Sequence, residues 1–572
     1  MKLKKIFSVA LVVALAGSLL AACSDKNNEG GASSSASKAP EASSPAASSP
    51  AAESSAAPEN QDPKEFRFTL ASEPPSLDPG LMTDAQSSIV ASGLFDGLTR
   101  LNAAGVPQPA IAKDWTISDD GKTYTFNLRD DAKWSNGDPI TAQDVEFSWK
   151  RVLAKETVAD YAYMLFYLEN GEEYNAGKVD ASQVGVKATG DFALEVKLKS
   201  ATPYFDSLLA HYSYWPVHKA SVEGKPDWAA DKSTMVTSGP FTLAEWAHGD
   251  KLVLTKNPNY YNAANVSFDK ATISLVEDET TVYNLFETDK IDWIGAQAGS
   301  VPSDLVPSLV AAGKAEIVPS ASTYYYVFNT TQKPFDNVKI RKAFSMAIDR
   351  QAIIDNVTKA NQTPAHALVP PSISGLDGKS FREMYPDADY IKENVEEAKT
   401  LLAEGLKESG LAKFPETTLL YNTSEGHKAI AEAIIDMWRK NLGVELKLSN
   451  QEWGTFLETR DAQQFGIARA GWGADINHAI NFSYDLIHPK SGNNDGKYNN
   501  PEVGKALDDS LAAPDDKTRL DLIAKAEKIA MADDMAVLPI YYYTTVTMIK
   551  PGFTDVVSDY AGHLDWAFGK KE

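Results

Sequence analysis

The sequence predicts an α/β fold of about three domains, and three observations carry that expectation. Short runs with bulky apolar residues at every second position recur along the chain and read as half-buried strands. Between them lie stretches with apolar residues three and four apart, the spacing of one helix face. From Phe66 to Trp566 the composition is globular throughout, about 500 residues, several times the usual length of one domain.

The elements follow in chain order. Lys2, Lys4 and Lys5 precede an apolar run from Ile6 to Leu20 that ends in Leu20-Ala21-Ala22-Cys23, the only cysteine of the 572 residues. A run shorter than the roughly 20 residues of a membrane span, with small residues before the cut, reads as a secretory signal. Its ending looks like a bacterial lipobox, so Cys23 is the expected lipidation site and new first residue, and one thiol permits no internal disulfide. Residues 24 to 62 are mostly Ser, Ala and Pro and cannot build a core. They predict a disordered tether with a reach of about 35 Å.

Asp120-Gly121 supplies a turn before Tyr124, Phe126 and Leu128, which alternate with Thr123, Thr125 and Asn127 as a strand. Gly190-Asp191 introduces a second such run, Phe192 to Leu198. Helices are expected over Lys392 to Lys407, on Val395, Ala398, Leu401, Leu402 and Leu406, and over Ala429 to Leu442, on Ile430, Ala433, Ile434, Met437, Trp438 and Leu442. Gly443 closes the second helix, and Val444, Leu446 and Leu448 then alternate as a strand. No further apolar run of 18 residues and no solenoid repeat occurs.

Charge and motifs exclude several functions. The formal charge of −23 becomes −26 once the signal, with three Lys and no acid, is removed. Bulk charge therefore argues against a nucleic-acid or anionic-membrane partner. There is no Gly-x-Ser-x-Gly elbow and no His-Glu-x-x-His pair, and the eight histidines are scattered. Gly378-Lys379-Ser380 mimics the end of a phosphate loop, but Ile373 stands at its first glycine. Ser491-x-Asn493-x-Asp495-Gly496 with Glu502 resembles a calcium loop except at its first ligand, and Pro489 and Pro501 crowd both ends. Asp130-Asp131 and Asp533-Asp534 read as solvated turns. No metal, cofactor or catalytic group is expected; an exported hydrolase, with residues that converge only in space, stays the alternative of a different class.

Two features point to ligand binding. Tyr324-Tyr325-Tyr326 and Tyr541-Tyr542-Tyr543 lie in strand-like contexts, where alternation gives each run two different faces, core or cleft. The run Ala468-Arg469-Ala470-Gly471-Trp472-Gly473-Ala474-Asp475 places an acid, an indole and two glycines on one extended stretch. Glycine admits a close main chain, Trp472 offers an apolar wall, and Asp475 suits a shielded cation such as a peptide amino terminus. A plain strand with a helix-capping Asp fits the same residues when the run is taken alone.

Together with Glu73-Pro74-Pro75-Ser76-Leu77-Asp78-Pro79, the stretch from Ala112-Lys113-Asp114-Trp115 to Lys133-Trp134-Ser135-Asn136-Gly137-Asp138-Pro139, Thr323 to Tyr326, Tyr421-Asn422-Thr423-Ser424 and Asn450-Gln451-Glu452-Trp453, that run resembles the oligopeptide-binding lipoproteins of ABC importers. The resemblance implies a two-lobed, periplasmic-binding-protein-like (Venus flytrap) α/β fold with an additional third domain. Domain I would comprise 63 to 95, 221 to 322 and 543 to 572; domain II, 96 to 220; and domain III, 323 to 542. Both tyrosine runs then fall at hinge crossings between domains I and III. Further implications are a lipid-anchored, monomeric receptor on the outer face of the cell membrane, of Gram-positive type, with an oligopeptide ligand and ABC permease subunits as partners.

By the same resemblance Asp475 meets the peptide ammonium, and Gly471, Gly473 and Ala474 belong to the strand that pairs with the peptide. Trp453 and Trp472 bound side-chain pockets, and Tyr161 stands near the amino end. Arg460, Arg469 and His427, with Lys359 as a further candidate, match basic positions that meet carboxyl termini. Glu73, Tyr325 and Tyr542 complete the expected contacts. Ser322 and Gly473 replace cysteines of some relatives, and Ile476 to Ala479 depart from the common pattern. Same-fold binders of dipeptides, nickel or another small solute, and peptide pheromone sensors, share these features.

Overall fold

The computed structural model describes residues 63–572; Cys23 and the 24 to 62 stretch lie outside them. Three sheets organise the chain. In the first, Glu65–Leu70 pairs in parallel with Lys270–Leu275, which continues antiparallel through Lys251–Lys256 to Phe241–Ala247. Phe66, Phe68 and Leu70 point inward and are fully buried, whereas Arg67, on the other face, pairs with Asp292 at 2.6 Å. The chain's end closes this core: Trp566 packs 4.9 Å from Phe241 and 5.8 Å from Phe68, and its indole N–H donates to Ile89 O at 3.1 Å. A Cβ on Gly93 would stand 2.6 Å from the Trp566 ring, so only glycine lets the helix Ala85–Leu94 sit so close.

The second sheet is antiparallel, in the order Ala112–Ile117, Thr123–Leu128, Ala193–Lys197, Val186–Gly190. Tyr124, Phe126 and Leu128 face the core as their alternation predicts, and Phe126 lies opposite Leu194. The two expected helices run Val395–Glu408 and Glu425–Leu442, capped by Asn394 and Ser424, and Gly443 ends the second in the left-handed conformation at φ 68°. The strand after it is Lys447–Gln451, three residues later than the alternation from Val444 suggests, because its partner Thr418–Asn422 begins opposite Lys447. Ser380 caps the short helix Phe381–Met384 within a loop, Pro501 opens the helix Pro501–Leu511, and Asp495 of the calcium-loop mimic pairs with Arg460. No group of potential metal ligands forms among the described residues.

The third sheet positions the site. Its order is Trp293–Ile294, Val537–Ile549, Glu316–Phe328, Ile467–Gly473, Thr418–Asn422, Lys447–Gln451. The two 13-residue strands pair antiparallel as two segments, Glu316 to Pro319 against Thr544 to Thr547 and Thr323 to Val327 against Val537 to Tyr542, with a register shift between Pro319 and Thr323. At that shift Ala321 turns aside: its N–H donates to Tyr560 O, and its carbonyl accepts from Ala474 N–H. The chain is thus an α/β fold of two lobes. No described helix is long and apolar enough to cross a membrane.

Removing the Trp566 indole leaves a large cavity between sheet and helix. Trp566→Ala is expected to cost about 3–5 kcal/mol in urea unfolding, a loss that a surface tryptophan would not show.

Candidate ligand-binding cleft

A cavity of about 730 Å³ runs between the lobes. The Ile467–Gly473 strand forms one wall. Its first edge pairs with Glu316–Phe328 along the whole length, whereas Thr418–Asn422 reaches the other edge only at Ile467 and Ala468. Ala474 N–H donates toward the paired side at 3.0 Å, and main-chain groups alternate from edge to edge along a strand. The amides and carbonyls of Gly471 and Gly473 therefore face the open edge. A Cβ at Gly471 would stand 2.9 Å from the Tyr543 hydroxyl and one at Gly473 3.3 Å from His563, so the glycines also keep the wall clear.

At one end sits Asp475. Its Oδ1 lies 3.5 Å from His211 Nε2, and its Oδ2 accepts from Asn481 at 3.0 Å. Burial presses the carboxyl's pKa upward, but His211, Asn481 and His563 together hold it below the ordinary carboxylate value, so it is an anion at neutral pH. Aromatic rings enclose it: Trp472 stacks on Tyr161 at 6.3 Å, and Tyr212 meets Tyr161 edge-on at 5.4 Å. The Trp472 Nε1 and His211 Nε2 atoms are buried without a hydrogen-bond partner.

Further along the same strand lies Arg469, only 9% exposed, and among the described residues no carboxylate forms an ion pair with it. Its guanidinium donates to the Tyr543 hydroxyl at 2.6 Å and to Asn422 Oδ1 at 3.4 Å, lies over the Tyr324 ring at 4.9 Å, and leaves Nε unpartnered. A buried, uncompensated guanidinium is costly and suits an incoming carboxylate. The other basic candidates differ. Arg460 is neutralised by the buried Asp495, which receives both its Nε and Nη2. Burial and the nearby Arg469 charge hold His427 well below its ordinary pKa, so it is a neutral imidazole, 3.5 Å from the Tyr324 hydroxyl. Lys359 pairs with Asp304 and lies off the cavity.

The remaining expected contacts divide. Tyr161, Trp453 and Trp472 line the cavity, and Trp453 Nε1 donates to Asp84 Oδ1 across it at 3.1 Å. Ala474 is buried and turned to the sheet, outside the lining. Tyr325 and Tyr542 also lie outside it; Tyr542 donates to Ala367 O at 3.1 Å. Strand alternation instead puts Tyr541 and Tyr543 on the cavity face. Glu73 lines an adjoining groove and is occupied by Trp246 Nε1 at 2.7 Å, Gly249 N–H at 3.0 Å and His248. The sequence reading also missed Asn481, six residues beyond Asp475, and Asp84, His211, Tyr212 and His563, which converge from distant segments.

Contacts between the lobes hold the cleft shut. Asn493 donates to the Tyr163 hydroxyl at 2.9 Å, Arg519 to Ala201 O at 3.1 Å, Lys490 pairs with Glu172 at 2.7 Å, and the His478 and Tyr204 rings stack at 4.4 Å.

Comparison with known proteins agrees with this architecture. The model of the bacterial extracellular solute-binding proteins, family 5 Middle, matches residues 106–494. The oligopeptide-binding protein OppA of Bacillus subtilis is 41% identical over 502 residues, 87% of this chain and 91% of its own. Haemophilus influenzae OppA in complex with the peptide RPPGFSPFR superposes with a TM-score of 0.82 at 32% identity, over 89% of this chain and 99% of its own. The murein tripeptide binding protein MppA in its unliganded open form, at 31% identity over 89% of this chain and 98% of its own, reaches only 0.60. At nearly equal identity and coverage, the arrangement of this chain is nearer to that peptide complex than to that open form.

The interface carries a pH dependence. Burial and the charge of Arg519 push His478 down to about 3, and its Nδ1 accepts from Ile480 N–H at 3.1 Å. The unfolded chain takes up this proton below about pH 6.5, whereas the folded protein refuses it. The contribution of His478 to stability is therefore complete above pH 6.5 and declines as pH falls toward 3. His478→Asn, which keeps an acceptor but does not titrate, should lose less stability than the parent between pH 7 and pH 5 in urea unfolding. Equal losses would contradict a neutral His478.

Proposed function

The chain belongs to the bacterial extracellular solute-binding proteins of family 5, and on that premise we propose that it captures short peptides in extended form and delivers them to an ABC importer. The observation that carries this reading is the open edge at Gly471 and Gly473, between an anion at Asp475 and an uncompensated cation at Arg469. A free peptide carries those two charges at its ends and the same main-chain groups at every residue. Strand addition holds the backbone whatever the side chains, Asp475 takes the ammonium and Arg469 the carboxylate. Trp453, Trp472, Tyr161 and Tyr212 bound the side-chain space.

The movement is closure of two lobes. We place domain boundaries near residues 95, 220, 322 and 542, and the register shift between Pro319 and Thr323 supports a hinge at the paired long strands. Closure buries the peptide, and the permease subunits recognise the closed form. The receptor is a monomer without cofactor or catalytic role. Its lipid anchor is Cys23, at the end of Leu20-Ala21-Ala22-Cys23, and holds it on the outer face of the cell membrane.

Titration calorimetry with one tetrapeptide, its N-acetyl form and its C-terminal amide tests the ligand assignment. Asp475→Asn should weaken the free-amino peptide by about 3 kcal/mol or more and the N-acetyl form far less, and Arg469→Met should act likewise on free carboxylate against amide. Parent protein that binds the peptide and its N-acetyl form equally would defeat the ammonium assignment. For the anchor, Cys23→Ser should move the protein from the detergent phase into the aqueous phase on phase separation; retention in the detergent phase would rule the lipidation site out.

A further inference from the structure

Behind Asp475 lies a second carboxyl that the peptide-binding reading leaves without a task. Asp485 is 3% exposed, on the helix Ile480–Ile487, and the charge nearest it is that of Asp475 rather than a cation. Between the two acids stands Asn481, one helical turn before Asp485 and 2% exposed. Its Oδ1 accepts the Asp475 main-chain N–H at 2.7 Å. Its Nδ2 donates to Asp475 Oδ2 at 3.0 Å and also to Asp485 Oδ2.

We propose that Asn481 and Asp485 are positioning residues for the Asp475 carboxylate: the Asn481 amide fixes the carboxylate, and the Asp485 carboxyl fixes the amide. An amide group has one acceptor end and one donor end with two hydrogens. The Asp475 N–H demands the acceptor, so the donor end must face the acids, and each acid receives one hydrogen. Asp475 Oδ2 is thereby occupied, which leaves Oδ1, beside His211, as the oxygen turned to the cavity. Burial and the charge of Asp475 raise the Asp485 pKa well above its ordinary value, against the pull of hydrogen bonds from Tyr163 and Asn481. A neutral Asp485 supplies an acceptor for Asn481 without a second negative charge to repel Asp475. The arrangement holds the carboxylate ready before the ligand arrives.

This inference rests on the reading that Asp475 receives the peptide ammonium, and one experiment separates the two. Calorimetric affinities for a tetrapeptide and its N-acetyl form give a ratio that global damage to the fold lowers on both sides alike. In Asn481→Leu and in the smaller Asn481→Ser the ratio should fall about tenfold or more, with the N-acetyl affinity kept within about threefold. Asp485→Asn, which offers the same acceptor oxygen, should keep the parent ratio within about threefold. If Asp475→Asn collapses the ratio while both Asn481 variants retain it, the positioning role is overturned and the ammonium reading stands. A parent ratio in Asp475→Asn itself would overturn both. A collapsed ratio in Asp485→Asn would overturn the assignment of a neutral carboxyl there.

Discussion

The cleft depends on one strand having two unequal edges. Ile467–Gly473 is held along one edge by Glu316–Phe328, while its other neighbour stops at Ala468, so the amides and carbonyls beyond that point meet no strand. Unpaired main-chain groups on a buried strand are costly. In the proposed function an extended ligand main chain would satisfy them, without regard to side chains. Everything else in the cleft qualifies that opportunity: glycines keep the wall flat, rings bound the sides, and charges stand at its ends.

Electrostatics then give the edge a direction. Arg469 is buried with hydroxyl, amide and ring neighbours, and Asp475, nearly buried, has the His211 and His563 imidazoles and the Asn481 amide about it. Two other basic groups are quenched by a neighbour, Arg460 by Asp495 and Lys359 by Asp304. An anion and a cation at opposite ends of the open edge suit a ligand charged at both ends. The aromatic wall of Tyr161, Tyr212 and Trp472 excludes water from the anionic end and strengthens that preference.

Much of this was legible in the sequence because it is local. Alternation at Tyr124, Phe126 and Leu128 gave a strand, apolar spacing with Gly443 gave a helix and its end, and the Arg469 to Asp475 run announced both charges and both glycines. Face assignment within the tyrosine runs was not legible. Period two says that Tyr325 and Tyr542 differ from their neighbours, but only the partner strands decide which set meets the cavity, and it is Tyr541 and Tyr543 that do. The partners of Arg460, His427 and Glu73 were equally hidden, because Asp495, Arg469 and the Trp246 to Gly249 turn are distant in sequence. The network of Asp475, Asn481 and Asp485 is close in sequence yet carries no motif, since a helical turn brings it together only after a loop has turned Asp475 back on it.

Residue-resolved amide hydrogen exchange, with and without a saturating tetrapeptide, addresses the strand edge most directly. If the peptide adds as a strand, the amides of Gly471 and Gly473 gain protection on binding, while that of Trp472, which faces the paired edge, changes little. Unchanged exchange at both glycines with the peptide bound would show that its main chain lies elsewhere.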